Sequence, residues 1–440
     1  LDILLALLYA IVFCWIISKS KFFKLNNIAP KYLLAIFVIK IIAGSFLFLV
    51  YTYYYEDRST ADIFKYFDDS KIMFDALSEK PMDFIKMLFG IQNDNAYFDA
   101  NYYAKMNNWY RVFETEMYND THTIIRLNAV FRLFSFGSYH VHTVFMCFLS
   151  LLASVFLFRF FSKLINGKEK LIFIAVFLLP SVLLWTSAVL KEGLLLFGMG
   201  IMLYYLLLLL EKKKMLFSFL MMAVGFFILL YIKYYTLAAL LIPLLAFVSV
   251  RMFKIKRIVL TYTLFLLVAF SFIAILSNIS EEYNVFRLLS IKQQDFIGLA
   301  KSMDAGSLLN APILESTPWS FLKNIPYALF VVFFRPFFFE SSNPLMILAG
   351  LENLAILLLI VFAFFFKVKK IQEKNLFFFS LAFVFILYVL IGVTTPVMGA
   401  IVRYKVPAMI FLLILVVILV DENRLKKYIS NRKILVKKNR

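Results

Sequence analysis

Long apolar runs, joined alternately by short basic connections and by longer mixed ones, constrain this chain more than any other feature. Eleven runs stand out, at 2–17, 32–55, 138–162, 171–189, 192–210, 215–232, 234–250, 258–276, 343–366, 375–393 and 404–420. Each approaches the roughly 20 residues a helix needs to cross the hydrocarbon of a bilayer. Composition agrees, with 63% of residues hydrophobic and 17% charged. Soluble domains run at about 45–50% and roughly 25%, so a water-soluble enzyme and a disordered chain are both excluded. The expected fold class is an all-α, polytopic integral membrane protein with about 11 transmembrane helices. Residues 1–440 read as a single integral membrane domain, without a 20–50-residue repeat or a low-complexity linker. The first run has no basic region before it and no small-residue cleavage site after it. It reads as a retained helix rather than a signal peptide, although Leu1 leaves the true start open. Cys14 and Cys147 both sit inside apolar runs, which excludes a disulfide framework and a cysteine-rich zinc site.

Orientation follows from the positive charges. Lys19, Lys163, Lys212, Arg251 and Lys367 open five short basic connections, and a basic tail at 421–440 adds a sixth cluster. Together these hold 26 of the 46 basic residues. In an eleven-span arrangement all six fall on one side, which places the N-terminus outside and the tail in the cytoplasm. The net charge of +19 is then a signal of orientation and anionic lipid, not of nucleic acid. Two long loops lie on the opposite side, 56–137 with 9 basic and 13 acidic residues and 277–342 with 5 and 6. Long loops inside a compact domain are usually functional, and both are expected to carry short amphipathic helices.

The first loop opens on a candidate helix from Ser59 to Leu77, capped by Ser59 or Thr60 and stopped by Pro81. It follows an aromatic belt of Tyr51, Tyr53, Tyr54 and Tyr55, so it starts at the membrane surface. Asp62, Tyr66 and Asp69 share one face of it, and Asp68 and Asp75 share a neighbouring one. An ordinary solvated helix would use Asp62 for its dipole and pair Lys65 with Asp69. A carboxylate at a membrane boundary can also act as general base toward an acceptor hydroxyl.

The segment Asp68-Asp69-Ser-Lys-Ile-Met-Phe74-Asp-Ala76 resembles the first-loop acidic motif of the GT-C superfamily. These are polytopic glycosyltransferases that use polyprenyl-phosphate sugars, among them the protein-mannosyltransferase and aminoarabinose-transferase types. The resemblance covers about twenty residues and the overall layout. It differs from the usual pattern in that the complete span 2–17 precedes the span leading into the loop. It implies a carboxylate mechanism with Asp69 or Asp68 as base and Asp62 as a supporting acid.

Further along, Phe98, Tyr102, Tyr103, Trp109, Tyr110 and Phe113 alternate with polar residues and suit sugar stacking or the headgroup layer. Residues 123–136 read as an in-plane amphipathic helix ended by Gly137, with Arg126 and Arg132 placed to meet a lipid phosphate or to snorkel among headgroups. His140 and His142 are two apart and so on different helix faces, and His122 does not complete a metal site with them.

Three more segments put charge at the outer ends of spans. Lys191 and Glu192 sit between two runs, as an ion pair with each other or as functional groups. Arg335 lies in a proline-bounded apolar segment that looks interfacial or re-entrant, with Glu340 as its simplest partner. Arg403, Tyr404 and Lys405 open the last span on the wrong side for a positive-inside charge, and Arg403 is the strongest candidate for phosphate contact. The Arg403-Tyr404 pair also resembles a segment near the end of bacterial envelope-polysaccharide transferases and polymerases. Lys40, in the middle of its run, is given no role beyond snorkelling.

The expected function is glycosyl transfer with inversion, from a polyprenyl-phosphate sugar donor to an envelope glycan, lipid or protein acceptor outside a bacterial cytoplasmic membrane. Asp69, Asp68 and Asp62 are the catalytic candidates. Arg403, Tyr404, Lys405, Arg335, Lys191, Glu192, Arg126 and Tyr66 are the binding candidates. No cofactor is required by these residues, although acids alone can bind a divalent cation. An O-antigen-type polymerase or ligase, relying on external arginines, is the alternative. A lipid or solute transporter ranks third, because no paired interrupted spans are visible.

Overall fold

The computed structural model describes residues 2–55, 57–110, 118–302, 305–340 and 343–422, together with 424, 425 and 428. Two long helices, α1 (Asp2–Lys19) and α2 (Pro30–Tyr53), lead into the first loop. That loop folds as α3 (Asp62–Glu79), α4 (Pro81–Phe89), α5 (Ala96–Asn101) and α6 (Thr121–Ser135). Then follow α7 (Tyr139–Leu164), α8 (Glu169–Phe177), α9 (Pro180–Trp185), α10 (Lys191–Leu210), α11 (Met215–Met252) and α12 (Ile258–Ile279). The second loop carries α13 (Val285–Ser302) and α14 (Pro318–Phe334). The chain closes with α15 (Pro344–Phe365), α16 (Lys374–Thr394), α17 (Met398–Tyr404) and α18 (Val406–Leu419). Among the described residues the fold is therefore all-α.

Eight of these helices are long and apolar enough to cross a membrane, or nine if the bent pair α17–α18, which turns by 56°, counts as one span. The expected runs differ from the helices at 171–189 and at 404–420, the latter falling in the bent pair α17–α18. Run 171–189 is divided into α8 and α9, because Leu178 and Leu179 leave the helical conformation. Runs 215–232 and 234–250 are the two legs of α11, which is 38 residues long and breaks between them at Lys233 (φ −156°, ψ 81°).

A continuous helix of that length would reach about 57 Å at 1.5 Å per residue, far beyond a hydrocarbon core of about 30 Å. The packing shows how the length is used. Phe217 meets Tyr205, Gly225 lies against the Gly198 carbonyl, and Lys233 reaches Glu192 at the start of α10. Beyond the break the direction reverses. Tyr235 meets Tyr404, Phe247 meets Phe379, and the Phe247 carbonyl accepts from Asn375 near the start of α16. The two legs of α11 thus meet at Lys233, at the end of the bundle that carries the two long loops. The break leaves the Tyr231 carbonyl available, and the Thr123 hydroxyl of α6 donates to it at 3.0 Å.

The short helix α9 needs compensation at both ends. Glu352 of α15 accepts from the Ser181 amide at 3.0 Å and from the Ser181 hydroxyl. Lys40 of α2 is fully buried and donates to Thr186, just past the other end, at 2.7 Å. A carboxylate at the amide end and an ammonium at the carbonyl end oppose the helix dipole. Lys40 therefore does not snorkel: it is held inside by the break in the run beside it. Gly44 lets α2 approach closely, since a Cβ there would lie 2.3 Å from the Ser187 carbonyl oxygen.

Broken helices are thus present at α8–α9 and α17–α18, where the sequence reads as single runs, and at Lys233, which already separates two runs in the sequence. The opposite end of the bundle is rich in lysine. Lys163 and Lys213 both pair with Glu211, and Lys168 donates to the Val417 and Val420 carbonyls. Within the tail 421–440, residues 423, 426, 427 and 429–440 lie outside the described residues, and with them most of its basic side chains.

Replacing Glu352 with Ala leaves the buried Ser181 donors without an acceptor. This should lower the unfolding free energy by about 1–3 kcal/mol. Asp75→Asn, which removes an exposed pair with Lys71, should change it by less than about 1 kcal/mol. Chemical unfolding of the protein in micelles compares the two.

Candidate functional site

A cavity of about 390 Å³ opens where the first loop, the second loop and the ends of α10, α11 and α17 converge. Its charged lining comprises Asp62 and Lys65 of α3, Asp120 beside α6, Lys191 of α10, Lys233 at the α11 break, Lys292 and Asp295 of α13, and Arg403 of α17. Tyr66, Tyr110, Tyr234, Tyr235, Phe296 and Tyr404 supply the aromatic wall.

The charges are connected. Arg403 Nη2 donates to Asp62 Oδ2 at 2.9 Å, and its Nε lies 3.2 Å from Glu192 Oε1. Lys233 Nζ donates to the same Glu192 oxygen at 3.0 Å and stands 3.9 Å from the centre of the Tyr404 ring. Lys191 donates to Asp120 at 2.8 Å. Lys191 and Glu192 are therefore not partners of each other. Successive positions at the start of α10 point different ways, one toward α6 and the other toward α11 and α17.

Asp62 owes its position to a difference from the expected cap. Ser59 and Thr60 bond to Asp57 in the preceding turn, Ser59 through its carboxylate and Thr60 through its carbonyl. The helix then starts at Asp62 with no side-chain cap, and its first carboxylate is free to meet Arg403. Burial pushes the Asp62 carboxyl up, but the charges of Arg403 and Lys191 outweigh it and hold it below the ordinary value.

Asp69 lies on the same face but does not reach the cavity. It is 1% exposed, and its two oxygens accept from the Asn107 and Asn108 amides at 2.8 Å each. Because Asn107 and Asn108 line the cavity, Asp69 fixes a wall rather than facing a substrate. Its expected partner Lys65 is replaced by these amides. Burial pushes the Asp69 carboxyl up to about 6 against the pull of the two amides. Asp68 lies on the outer surface in a two-point pair with Arg58, at 2.6 and 2.8 Å. The expected base pair therefore stands outside the cavity, and Asp62 is the acid of the three that enters it.

Other candidates also separate from the site. Arg335 pairs with Glu340 at 2.7 Å, its simplest expected partner. Lys405 is 2% exposed and donates to Asn353 and to the Val332 and Arg335 carbonyls, holding the end of α14 against α15. Arg126 donates to the Met87 carbonyl and lies over Trp109. Arg132 is buried on α3, donating to Ser70 and the Phe67 carbonyl. Neither arginine of α6 is placed among headgroups, because both tie the first loop together. Of the expected aromatics, Tyr103 and Trp109 stack with His122 into a loop core, Tyr110 lines the cavity, and Phe113 lies outside the described residues. His142 is held between Ser135 and Asn128. Among the described residues no group of three or more His, Cys, Asp or Glu is placed to hold a metal ion.

Six of the predicted residues therefore meet, namely Asp62, Tyr66, Lys191, Glu192, Arg403 and Tyr404. Sequence reasoning missed Lys233, Asp120, Lys292 and Asp295. Lys233 carried a signal: it is the lone charge between two apolar legs, remote from the basic connections.

No known family model, no curated protein and no solved structure matches this chain.

The raised Asp69 carboxyl gives a pH test. A carboxyl raised on folding adds stability below its unfolded value, near 3.8, and loses it as pH passes about 6. Relative to Asp69→Asn, the native protein should therefore lose thermal stability between about pH 4 and 7, as melting curves of the two proteins would show.

Proposed function

We propose that this chain is an envelope glycosyltransferase of GT-C-like type, taking a sugar from a polyprenyl-phosphate donor at the external face of a bacterial cytoplasmic membrane. The observation that carries this reading is Arg403, held between Asp62 and Glu192 in the wall of an aromatic-lined cavity. Positive-inside orientation makes the lysine-rich end cytoplasmic, so the cavity opens outside. Among the described residues no connection at the lysine-rich end is long enough to fold a nucleotide domain, which disfavours a nucleotide sugar.

In this reading the tyrosines stack on the sugar, and Arg403 with Lys233 meets the donor phosphate. The Asp62 carboxylate takes the proton of the acceptor hydroxyl. The acceptor oxygen bonds to the anomeric carbon as the bond from that carbon to the phosphate oxygen breaks. The lipid phosphate departs with the electron pair, its charge held by the two cations. The acceptor is an envelope glycan, lipid or protein. Asp69 supports the base indirectly, by holding Asn107 and Asn108.

The arginine-dependent polymerase or ligase is the second reading, favoured by one fact: the Asp68–Asp69 pair stands outside the cavity while Arg403 lies in its wall.

With purified protein and a polyprenyl-phosphate sugar, Arg403→Met should lower kcat by about 10²–10³-fold, and Asp62→Asn by about 10²–10⁴-fold. Asp68→Asn should leave it near the native rate. Full activity in both cavity variants would remove the reading. Glycan chains in cells that shorten with Arg403→Ala but not with Asp62→Asn would select the polymerase.

A further inference from the structure

We propose that the Asp62 carboxylate is the resting occupant of an anion site on Arg403, and that a ligand phosphate displaces it there, releasing Asp62 to act as base. The identity of the anion rests on the glycosyltransferase reading. The exchange itself rests on the geometry.

Arg403 is poorly used in the resting state. A guanidinium offers five donors in a fork that suits two-point contact with an oxyanion. Here one nitrogen, Nη2, makes a well-aligned bond, to a single oxygen of Asp62. The Nε is buried and has no hydrogen-bond partner, although Glu192 lies 3.2 Å away. The Tyr235 hydroxyl in the same wall is also buried without a partner. Donors left in this state suit an acceptor that presents two oxygens to them at once.

The two acids on Arg403 differ in their freedom. Glu192 is 1% exposed and fixed by Lys233, so it stays as the permanent counter-ion. Asp62 is 33% exposed at its side chain and lies at the first position of α3, where its charge is favoured by the helix dipole with or without Arg403. Leaving Arg403 therefore costs Asp62 less than it would cost Glu192. The donor is a phosphodiester with one negative charge, as Asp62 has, but it can present two free oxygens to Nη2 and Nε together where Asp62 presents one, and its charge grows to that of a monoester as the sugar leaves.

The exchange has a chemical consequence. While Asp62 is bound to Arg403 its charge is neutralised and it is a weak base. It becomes available once the phosphate has taken its place, so donor binding precedes activation of the acceptor hydroxyl. Bound donor and free base then occur together.

The test uses full-length protein in nanodiscs of zwitterionic lipid, titrated with a sugar-free polyprenyl monophosphate and, separately, with inorganic phosphate. Removing the competing charge should tighten binding. Asp62→Asn and Asp62→Ser are each expected to bind polyprenyl phosphate about tenfold more tightly than the native protein, while transfer activity falls. Two variants guard against misfolding of either one. The same tightening with inorganic phosphate would show that the phosphate group alone is read. Tightening confined to the lipid would assign the site to a lipid headgroup. Either result supports the exchange. Equal or weaker binding by both folded Asp62 variants overturns it. Arg403→Met separates the two levels: weaker binding keeps the phosphate site whatever Asp62 does, and unchanged binding removes the exchange and the glycosyltransferase reading together.

Discussion

Glu192 is the fixed point of this structure. It is a carboxylate with almost no exposure, at the start of a membrane-length helix, with an ammonium and a guanidinium on one oxygen. Alone it would cost several kcal/mol, so three parts of the chain that are distant in sequence must meet there. The start of α10 brings Glu192, the break in α11 brings Lys233, and the bend before α18 brings Arg403. Asp62 joins from the first loop. The cavity opens beside this junction, with Lys233, Arg403 and Asp62 in its wall.

The interrupted helices follow the same logic. A non-helical backbone inside a membrane span leaves polar groups that hydrocarbon cannot satisfy, so it persists where protein supplies partners. Glu352 and Lys40 supply them at α9, and Thr123 helps to do so at the α11 break. Lys405 ties α14 to α15 by donating to two carbonyls and Asn353. Glu352, Lys40 and Lys405 lie in or beside apolar runs and would be costly if unpaired. Their positions mark where the chain departs from a simple span, and two of those departures line the cavity.

Much of this was legible in the sequence. Apolar runs and basic connections gave the helical membrane class, and Arg403, singled out as a charge opening the last run, lines the cavity. The first-loop helix and its acidic face were also readable, because Asp62 and Tyr66 are four apart, although the helix starts at Asp62 and not at a Ser59 or Thr60 cap. The roles within that face were not. Asp68 and Asp69 form the conspicuous pair, but one finds Arg58 and the other finds two backbone amides from a loop nearly 40 residues away. Lys191 and Glu192 suggested a local pair, yet each has a partner on another helix. Long-range partners of this kind leave no spacing to read. The split of run 171–189 was hidden for a related reason, since Glu352 and Lys40 lie in other helices.

The central claim is that Glu192 and Lys233 form one buried unit that holds the cavity together. A double-mutant cycle with Glu192→Gln and Lys233→Met, followed by chemical unfolding in micelles, tests it most directly. Glu192→Gln leaves the Lys233 ammonium without its carboxylate and should cost about 3–5 kcal/mol, and Lys233→Met, which leaves Glu192 with Arg403 as its remaining cation, should cost less. The double variant should cost clearly less than the two added together, by about 1–3 kcal/mol. Additive losses would mean that the two residues act independently, and would contradict the account.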